Sequence, residues 1–378
     1  MKIDEFVLER MQSTWENLVE INLSESGVHP LSVRELIEEL GADAVLDVRL
    51  GYPQTNGTVA LRTAIASMYP GATPDNIHVT NGGSEANFVS TWSLLEPGDE
   101  VVMMAPNYMQ TWGLGRAFAG TLREWKLREE DGRWRPDFDA LPSLLTPRTK
   151  LLILCNPDNP TGARLDSDDL DAICAAAERH GTWVLSDEIY RGAELDGRET
   201  TTLWGRYDRE IVTSGLSKAY GLPGLRIGWV VGPPPFVATT WAYHDYTSIA
   251  PGALNDRLAT LALEPARRSR ILERTRGILR ANLPVLAGWL DEHRGEFSYI
   301  RPEAGAIVFA RYHRPIGSSE LTTRLRVDKS VLLVPGDQFG MDGYLRIGYG
   351  GPVHELREGL RRLWEVVESL GRHGGRPY

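Results

Sequence analysis

The stretch TKLLILCNPDNPTGARLDSDDLDAICAAAERHGTWVLSDEIY, residues Thr149–Tyr190, contains a complete strand–helix–strand pattern. TKLLILCNP (Thr149–Pro157) is a short apolar run ending in Asn-Pro, as expected for a buried strand that enters a loop. SDDLDAICAAAERHG (Ser167–Gly181) begins with a capping serine, carries acids in its first turn and closes on glycine, as a helix does. TWVLSDEIY (Thr182–Tyr190) is a second apolar run. Two such strands joined by one helix predict parallel pairing with a right-handed crossover.

The same alternation continues on both sides of this unit. Residues Asn76–Leu95 read as a strand, a glycine turn and a helix, and Asp99–Tyr108 reads as another strand. REIVTSGLSK (Arg209–Lys218) and RIGWVVG (Arg226–Gly232) supply two more strands. Strands that alternate with helices predict an α/β sheet that is covered by helices on both faces.

The two ends of the chain have a different pattern. Residues up to about Val45 mix helix and loop, and Ile271–Gly295 has helical periodicity. Four short strand-like pieces follow, namely FSYIRP, AIVFARY, VLLVPG and YLRIGYG. We therefore expect a large domain over residues 46–270 and a smaller α+β domain built from residues 1–45 and 271–378.

Composition excludes several classes of protein. The net charge of −10 argues against a nucleic-acid or anionic-membrane partner, because both need a basic surface. Cys155 and Cys174 are too few for a disulfide scaffold and lie in apolar surroundings, which predicts two buried free thiols. No basic leader or membrane-length apolar run is present, and we expect a cytoplasmic protein with no metal site.

Polar residues follow the predicted strands, where ligands of open α/β sheets bind. NGGSEA places Gly83, Ser84 and Glu85 between a strand and a helix, where free N–H groups and the helix dipole favour an anion such as phosphate. This signal is weak in isolation, because glycine pairs at such turns are often purely structural.

The next strands end in residues that suit an aromatic ring. Tyr108 is placed to stack on a planar ring, Asn159 in NPDNPTG is a fixed side-chain donor, and Tyr190 is a second donor. Asp187 follows four apolar or small residues, and a carboxylate buried there needs a partner such as a cationic ring nitrogen. Each residue also has an ordinary explanation, such as a rim tyrosine, a turn asparagine or a surface acid.

Three cations complete the set. Lys218 follows a strand among Ser and Gly residues, and a confined lysine can lose its proton and act as a nucleophile. Arg226 supplies a permanent charge for the phosphate turn, and Arg346 interrupts an apolar strand. Arg346 suits a substrate carboxylate, although a structural salt bridge is an alternative. Together these residues meet the requirements of pyridoxal 5′-phosphate held as a Schiff base.

The chain resembles the class I/II aminotransferases, which are fold type I pyridoxal phosphate enzymes. The resemblance covers nearly the whole length and rests on NPDNPTG, SDEIY, TSGLSKAYGLPGLRIGW (Thr213–Trp229) and GYPQTNGTVALRTAIA (Gly51–Ala66). It implies a mostly parallel seven-stranded sheet sandwiched by helices, a smaller domain from both chain ends, and a homodimer with shared active sites.

The resemblance also implies a role for each matched residue. Lys218 is the Schiff-base lysine and proton shuttle, Asp187 pairs with the ring nitrogen, and Tyr108 stacks on the ring. Asn159 and Tyr190 contact the ring hydroxyl. The phosphate is held by Gly83, by Ser84 and Glu85 through their backbone with their side chains as an alternative, by Arg226, and by Tyr52 from the partner subunit. Arg346 takes the substrate carboxylate, with Asn159 nearby.

Two segments depart from the family pattern. Many relatives carry Ser or Thr three positions before the lysine, but this chain has Gly215, so Ser217 or Ser214 is expected to compensate. ESGVHPL (Glu25–Leu31) lies where relatives place a substrate loop, which makes Gly27 and His29 candidate substrate contacts. That segment resembles the capreomycidine synthases, cyclising members of the superfamily that act on a hydroxylated arginine.

The leading hypothesis is an aminotransferase that moves an amino group between an L-amino acid and a 2-oxo acid. The alternative is a pyridoxal phosphate-dependent lyase or cyclase, for example one acting on an arginine derivative, because the same carbanion can expel a β- or γ-substituent. A sensor domain is disfavoured, since it has no need of the full set. We expect a substrate pocket with an aromatic lining, drawn from Trp15, His29, Tyr108, Trp112 and Tyr243.

Overall fold

The computed structural model describes residues 2–370, whose strands form sheets of eight, four and two strands. The strands are β1 Ile21–Asn22, β2 Ile77–Thr80, β3 Glu100–Ala105, β4 Thr121–Glu130, β5 Arg133–Pro136, β6 Thr149–Cys155, β7 Trp183–Asp187, β8 Glu210–Gly215, β9 Gly228–Val231, β10 Phe297–Tyr299, β11 Ile307–Tyr312, β12 Val331–Leu332, β13 Val334–Pro335 and β14 Tyr344–Gly348. The helices are α1 Val7–Trp15, α2 Val33–Ile37, α3 Asp43–Leu46, α4 Val59–Ala66, α5 Gly83–Leu94, α6 Gln110–Phe118, α7 Leu141–Leu144, α8 Ser167–Glu178, α9 Pro234–His244, α10 Ala253–Ala262, α11 Pro265–Glu292, α12 Ser318–Lys329 and α13 Val353–Ser369.

The large sheet has the strand order β2-β9-β8-β7-β6-β3-β4-β5. Its five central strands, β8 through β4, are parallel, and β9 runs antiparallel to both of its neighbours. The predicted mostly parallel sheet is confirmed, with eight strands instead of seven. The additional strand arises because the chain turns at Asp131 and Gly132, both with positive φ, and pairs β5 back onto β4.

The quoted strand–helix–strand unit is β6, α8 and β7, with Leu151 opposite Trp183 in a parallel ladder. The cap of α8 is one residue earlier than expected. Asp166, and not Ser167, accepts a hydrogen bond from the backbone N–H of Asp169, whose carboxylate accepts from the backbone N–H of Asp166. This reciprocal capping box satisfies two backbone donors at once.

Helices cover both faces of the large sheet because successive side chains of its buried strands point to opposite sides. In β3, Val101 and Met103 pack with α5, α6 and α9, whereas Val102 and Met104 belong to the core shared with α8, α10 and α11. Burial on both faces explains why these strands read as continuous apolar runs.

The second sheet is antiparallel, in the order β10-β11-β14-β13, and carries Arg346 in its third strand. A parallel pair joins Ile21 of β1 to Val331 of β12, which brings the two ends of the chain together. The predicted boundary between the two domains, after residue 270, falls inside helix α11 and not in a loop. The division into residues 46–270 and the two chain ends stays a prediction. Residues 371–378 of the predicted small domain lie outside the described residues. Within residues 2–370, no helix combines the length and the apolarity needed to cross a membrane.

Candidate active site

A cavity of about 480 Å³ opens at the edge where β2, β3, β6, β7 and β8 end. These carboxyl ends share one edge because β9 is the strand that reverses between β2 and β8. Ten of the residues predicted from sequence line it, namely Gly83, Ser84, Tyr108, Asn159, Asp187, Tyr190, Ser217, Lys218, Arg226 and Arg346. Four do not, namely Gly27, His29, Tyr52 and Glu85.

Asp187 is the last residue of β7 and is buried. Its carboxylate accepts hydrogen bonds from Nδ2 of Asn87 at 2.9 Å and from the backbone N–H of Ile189 at 3.1 Å. Burial outweighs these hydrogen bonds and raises the pKa of Asp187 to about 6. No cation of the described chain forms an ion pair with it, so the site suits a ligand that brings a positive charge to this carboxylate.

Lys218 reaches the cavity from the loop after β8, and its side chain is 27% exposed. Its Nζ lies 3.5 Å from Oε2 of Glu25, and the pKa of Glu25 is lowered chiefly by this ammonium group. The backbone of Gly27 packs against the lysine, since an added Cβ there would lie 3.5 Å from Cδ of Lys218. Gly27 therefore supports the lysine, and the prediction that it contacts substrate is not met by the cavity lining.

Arg346 is fully buried and donates from Nη1 to Oδ1 of Asn159 at 3.0 Å and from Nη2 to the carbonyl of Ser24 at 2.6 Å. Its Nε has no partner, and no carboxylate among residues 2–370 forms an ion pair with it. Burial lowers the pKa of Arg346, but a guanidinium stays charged at neutral pH. The alternative of a structural salt bridge is therefore wrong, and an unpaired buried charge indicates a carboxylate ligand.

Tyr190 is buried beside this group, and its hydroxyl donates to Oγ of Ser26 at 2.8 Å. Burial raises the pKa of Tyr190, so the phenol stays protonated as a hydrogen-bond donor. Tyr108 lies on the far side, where its hydroxyl donates to Oε1 of Glu9 at 2.6 Å. Both phenols therefore line the cavity, and their contacts with a ring stay predictions.

The turn before α5 has the features of a phosphate site. Gly82 caps the helix with φ +92°, and an added Cβ would collide with the guanidinium of Arg226. No hydrogen bond within the described residues occupies the backbone N–H groups of Gly83 and Ser84, which belong to the first turn. Arg226 has no ion-pair partner in residues 2–370. Free N–H donors, a helix N-terminus and an unpaired guanidinium together fit an anion.

The side chain of Glu85 does not join this turn, which rules out the side-chain alternative and leaves only its backbone in the first turn of α5. Its carboxylate accepts hydrogen bonds from the backbone N–H of Asn81 at 2.6 Å and from the hydroxyls of Thr247 and Ser248 at 2.7 Å each. His244 lies 3.2 Å away on the same side. These donors hold the pKa of Glu85 down at about 2 despite its burial, and they turn the charge away from the anion site.

Gly215 is explained by its backbone neighbours. A Cβ at this position would lie 2.8 Å from the carbonyl oxygen of Ile227, the residue before the neighbouring strand β9. A hydroxyl-bearing residue therefore does not fit without a shift. Ser214 is no substitute, because its hydroxyl donates to the carbonyl of Glu188 at 3.1 Å. Ser217, by contrast, lines the cavity.

The predicted aromatic wall is wrong except for Tyr108. Trp15 lies under the guanidinium of Arg326, Trp112 under that of Arg116, and Tyr243 packs on Trp92, all away from the cavity lining. His29 lies with Nδ1 3.3 Å from the carbonyl of Gly350, which makes it a structural residue of its loop. Tyr52 is 84% exposed and lines a separate surface groove, so within one subunit it does not reach the cavity.

Sequence reasoning missed a polar wall contributed by residues near the start of the chain. The cavity is also lined by Glu9, Gln12, Ser13, Glu16, Glu25 and Ser26. The available signal was the spacing of residues 9, 12, 13 and 16, which places four polar side chains on one face of a helix. Asn87 was also missed, although it lies one helical turn after Gly83 and faces Asp187.

Comparison with known proteins identifies the family. The model of "Aminotransferase class I and II" matches residues 21–363. The chain is 32% identical to the capreomycidine synthase of Streptomyces vinaceus, over 93% of this chain and 90% of that protein. It is 30% identical to an aspartate aminotransferase of Streptomyces avermitilis, over 84% and 80%. The structure of a PLP-dependent aminotransferase from Streptococcus suis superimposes with a TM-score of 0.92 at 32% identity, covering 99% of this chain and 100% of that one.

These matches span most of the chain and include every strand that borders the cavity. The cofactor of such enzymes is pyridoxal 5′-phosphate, and the unpaired Asp187, the anion site at α5 and Lys218 fit it. The chain belongs to the class I and II aminotransferase family.

Proposed function

We propose that this protein moves an amino group between an L-amino acid and a 2-oxo acid with pyridoxal 5′-phosphate. One observation carries the proposal: a single cavity combines a lysine amine with three charged groups that lack partners of opposite charge. Asp187 can bind a cationic group of a ligand, whereas Arg226 and Arg346 can bind anionic groups. A cofactor with a phosphate and a basic ring nitrogen, together with a substrate carboxylate, satisfies all three.

The cavity residues divide between the two molecules. Arg226, the N–H groups at the start of α5 and Ser217 would hold the phosphate, and Asp187 would hold the ring nitrogen in its protonated form. Asn159 and Tyr190 would donate to the ring hydroxyl, with Tyr108 against the ring. Once bound, the cofactor supplies an electron-withdrawing ring that accepts the electron pair left when the substrate loses its α-proton.

Lys218 performs the proton transfer. Its amine would hold the aldehyde group of the cofactor, and once the substrate amine has taken that place the free amine would accept the α-proton of the substrate. Glu25, at 3.5 Å from Nζ, stabilises the ammonium form that results. The two terminal N–H groups of Arg346 are held by Asn159 and Ser24, which fixes the guanidinium that receives the substrate carboxylate.

A lyase or cyclase is the second candidate, because one of the similar proteins is a capreomycidine synthase. Removal of the α-proton by Lys218 precedes both outcomes, and the two reactions diverge only afterwards. Elimination or ring closure would expel a substituent from the substrate side chain, whereas transamination would yield a 2-oxo acid.

The decisive experiment adds single amino acids to the loaded enzyme without any 2-oxo acid. Transamination releases one 2-oxo acid per active site and no ammonia, whereas ammonia or a cyclised product supports the second candidate. Lys218→Ala should abolish turnover, and Lys126→Ala, on an exposed stretch of β4, should leave it unchanged. Full activity in the Lys218→Ala protein would remove the basis of the proposal.

We also propose a cytoplasmic homodimer whose subunits share their active sites. Tyr52 and Leu50 are both 84% exposed, and such apolar surface is expected to be covered by a partner. Tyr52 would then reach the phosphate site of the other subunit. Cys155 and Cys174 are buried and unpaired, in keeping with a reducing compartment.

A further inference from the structure

The charges that line the cavity exceed the needs of the cofactor. Lys218, Arg226 and Arg346 are its cations, and its carboxylates are those of Asp187 and of Glu9, Glu16 and Glu25. Asp187 and the two arginines have partners in the bound cofactor and the substrate carboxylate. Lys218 would be engaged by the cofactor, so its ammonium group would no longer be available to Glu25. The three glutamates then face the cavity without any cation of their own.

Two of these glutamates lie on a segment that shares a hydrogen-bond acceptor with Arg346. Glu9 and Gln12 of α1 and Glu16, which caps its C-terminus, line the cavity together, and Nε2 of Gln12 donates to the carbonyl of Ser24 at 3.0 Å. Nη2 of Arg346 donates to the same carbonyl at 2.6 Å. The carbonyl oxygen of Ser24 therefore accepts hydrogen bonds from both α1 and the guanidinium of Arg346.

The three carboxylates are not satisfied equally within the described residues. Glu9 accepts from the hydroxyl of Tyr108 at 2.6 Å, and Glu25 lies 3.5 Å from Nζ of Lys218. The side-chain carboxylate of Glu16 has neither a hydrogen-bond nor an ion-pair partner in residues 2–370, although its backbone N–H donates to the carbonyl of Gln12. Burial and the negative charges of Glu25 and Glu9 raise the pKa of Glu16. A cation from a ligand would relieve this repulsion.

Arg346 gives the second indication of a ligand, because its Nε is buried and has no partner. The cavity thus offers a guanidinium for a carboxylate and, in the same lining, carboxylates for a cation. We propose that the substrate is an amino acid whose side chain carries a second cationic group, an ammonium or a guanidinium, which Glu16 receives together with Glu9 and Glu25. This inference rests on the proposed aminotransfer chemistry and names its substrate class.

The test compares pairs of amino acids that match in shape but differ in charge. Arginine is paired with citrulline and lysine with norleucine, and kcat/KM for the half-reaction of the loaded enzyme is measured for each. At least one cationic member should exceed its neutral partner by about tenfold or more, equivalent to about 1.4 kcal/mol. The arginine and lysine pairs separate a guanidinium from an ammonium. Calorimetric binding of the same four compounds gives a readout that needs no turnover.

Substitution of Glu16 identifies the receiving group. Glu16→Gln should lower the cationic preference several-fold, through KM for the cationic member, with little change for the neutral member. Glu5→Gln is the matched control, because Glu5 is exposed and lies outside the cavity lining, and it should preserve the preference.

Equal values within both pairs, or a preference for aspartate, would overturn the substrate class and leave the aminotransferase proposal standing. Preference retained in full by the Glu16→Gln protein would overturn the assignment of this residue. If no amino acid releases a 2-oxo acid, the proposed function fails, and the calorimetric comparison still decides whether the cavity selects a cation.

Discussion

Nη1 of Arg346 donates a hydrogen bond to the side-chain oxygen of Asn159 across 3.0 Å, although Asn159 follows β6 of the large sheet and Arg346 lies in β14 of the small one. The bond fixes the amide of Asn159 with its oxygen toward the arginine. Its nitrogen has no hydrogen-bond partner within the described residues and is left for a ligand. The proposed substrate anchor and a proposed cofactor contact are therefore oriented by each other.

Asn159→Asp should weaken substrate binding more than its small change in shape suggests. The new carboxylate would pair with Arg346 and neutralise the guanidinium that the substrate carboxylate needs. We expect KM for the amino acid to rise by about tenfold or more, since one charge-assisted hydrogen bond contributes about 1.5–3 kcal/mol. Asn159→Ala is the control, because it removes the amide but leaves Arg346 unpaired. An unchanged KM in the aspartate variant would contradict the assignment of Arg346.

Asp187 should make the stability of the cofactor-free protein depend on pH. Its folded-state pKa is about 6, above the ordinary value of 3.8, so the folded protein holds the proton more tightly than the unfolded chain. Stability is then highest below the ordinary pKa and falls as pH rises toward about 6. Between pH 5 and pH 7.5 we expect wild type to lose about 1 kcal/mol that Asp187→Asn does not lose.

The measurement is the free energy of unfolding of both stripped proteins at the two pH values. Asp158 and Glu188 are also buried with pKa values raised to about 7, and both remain in the variant. The charge of Asp187 is the last of the causes that raise the pKa of Glu188, so the difference between the two proteins reports chiefly on Asp187. Parallel pH dependence would show that this carboxylate is not strained by burial.

Gly215→Ser should destabilise the protein, although many relatives carry a hydroxyl at this position. The added Cβ would meet the carbonyl of Ile227 at 2.8 Å, and such overpacking costs about 1–3 kcal/mol. We expect a lower free energy of unfolding and no gain in cofactor affinity. Ser217→Ala should instead leave the free energy of unfolding unchanged and raise the dissociation constant of the cofactor. Tighter cofactor binding by the Gly215→Ser protein would count against this account.

Mixed dimers should reveal whether the subunits share active sites. Tyr52→Ala and Lys218→Ala are each expected to be strongly impaired as pure dimers. In a mixed dimer, one cavity would receive an intact lysine from one chain and an intact tyrosine from the other. Equal mixing with random reassortment should therefore restore about a quarter of the wild-type activity. No recovery, despite subunit exchange seen by mass spectrometry, would place Tyr52 outside the site.

Much of the cavity was predictable because the carboxyl ends of parallel strands meet at one edge of a sheet. Asp187 and Lys218 were placed by the strands they terminate or follow, without knowledge of the packing. Arg346 was predictable as an arginine in an apolar strand, but its lack of an ion pair required the positions of every neighbouring carboxylate.

Features that depend on distant side chains were not predictable. Glu85 was expected at the anion site, but its direction is set by Thr247 and Ser248, which lie far along the chain. The role of α1 was missed for a similar reason. A polar helix face can border either solvent or a ligand site. The hydrogen bond from Gln12 to Ser24 places this face at the cavity, and the sequence gives no sign of that contact.

The attachment of α1 through Ser24 has a consequence for how the enzyme can change over time. Two of the acids proposed to select the side chain, Glu9 and Glu16, lie on α1 or directly after it, whereas the groups proposed to hold the cofactor follow the strand ends. Replacement of a few residues on that helix can therefore exchange one substrate for another while the chemistry persists. Natural divergence and laboratory redesign would both begin at residues 9, 13 and 16, and would leave Gln12 unchanged because it keeps the helix in register with Arg346.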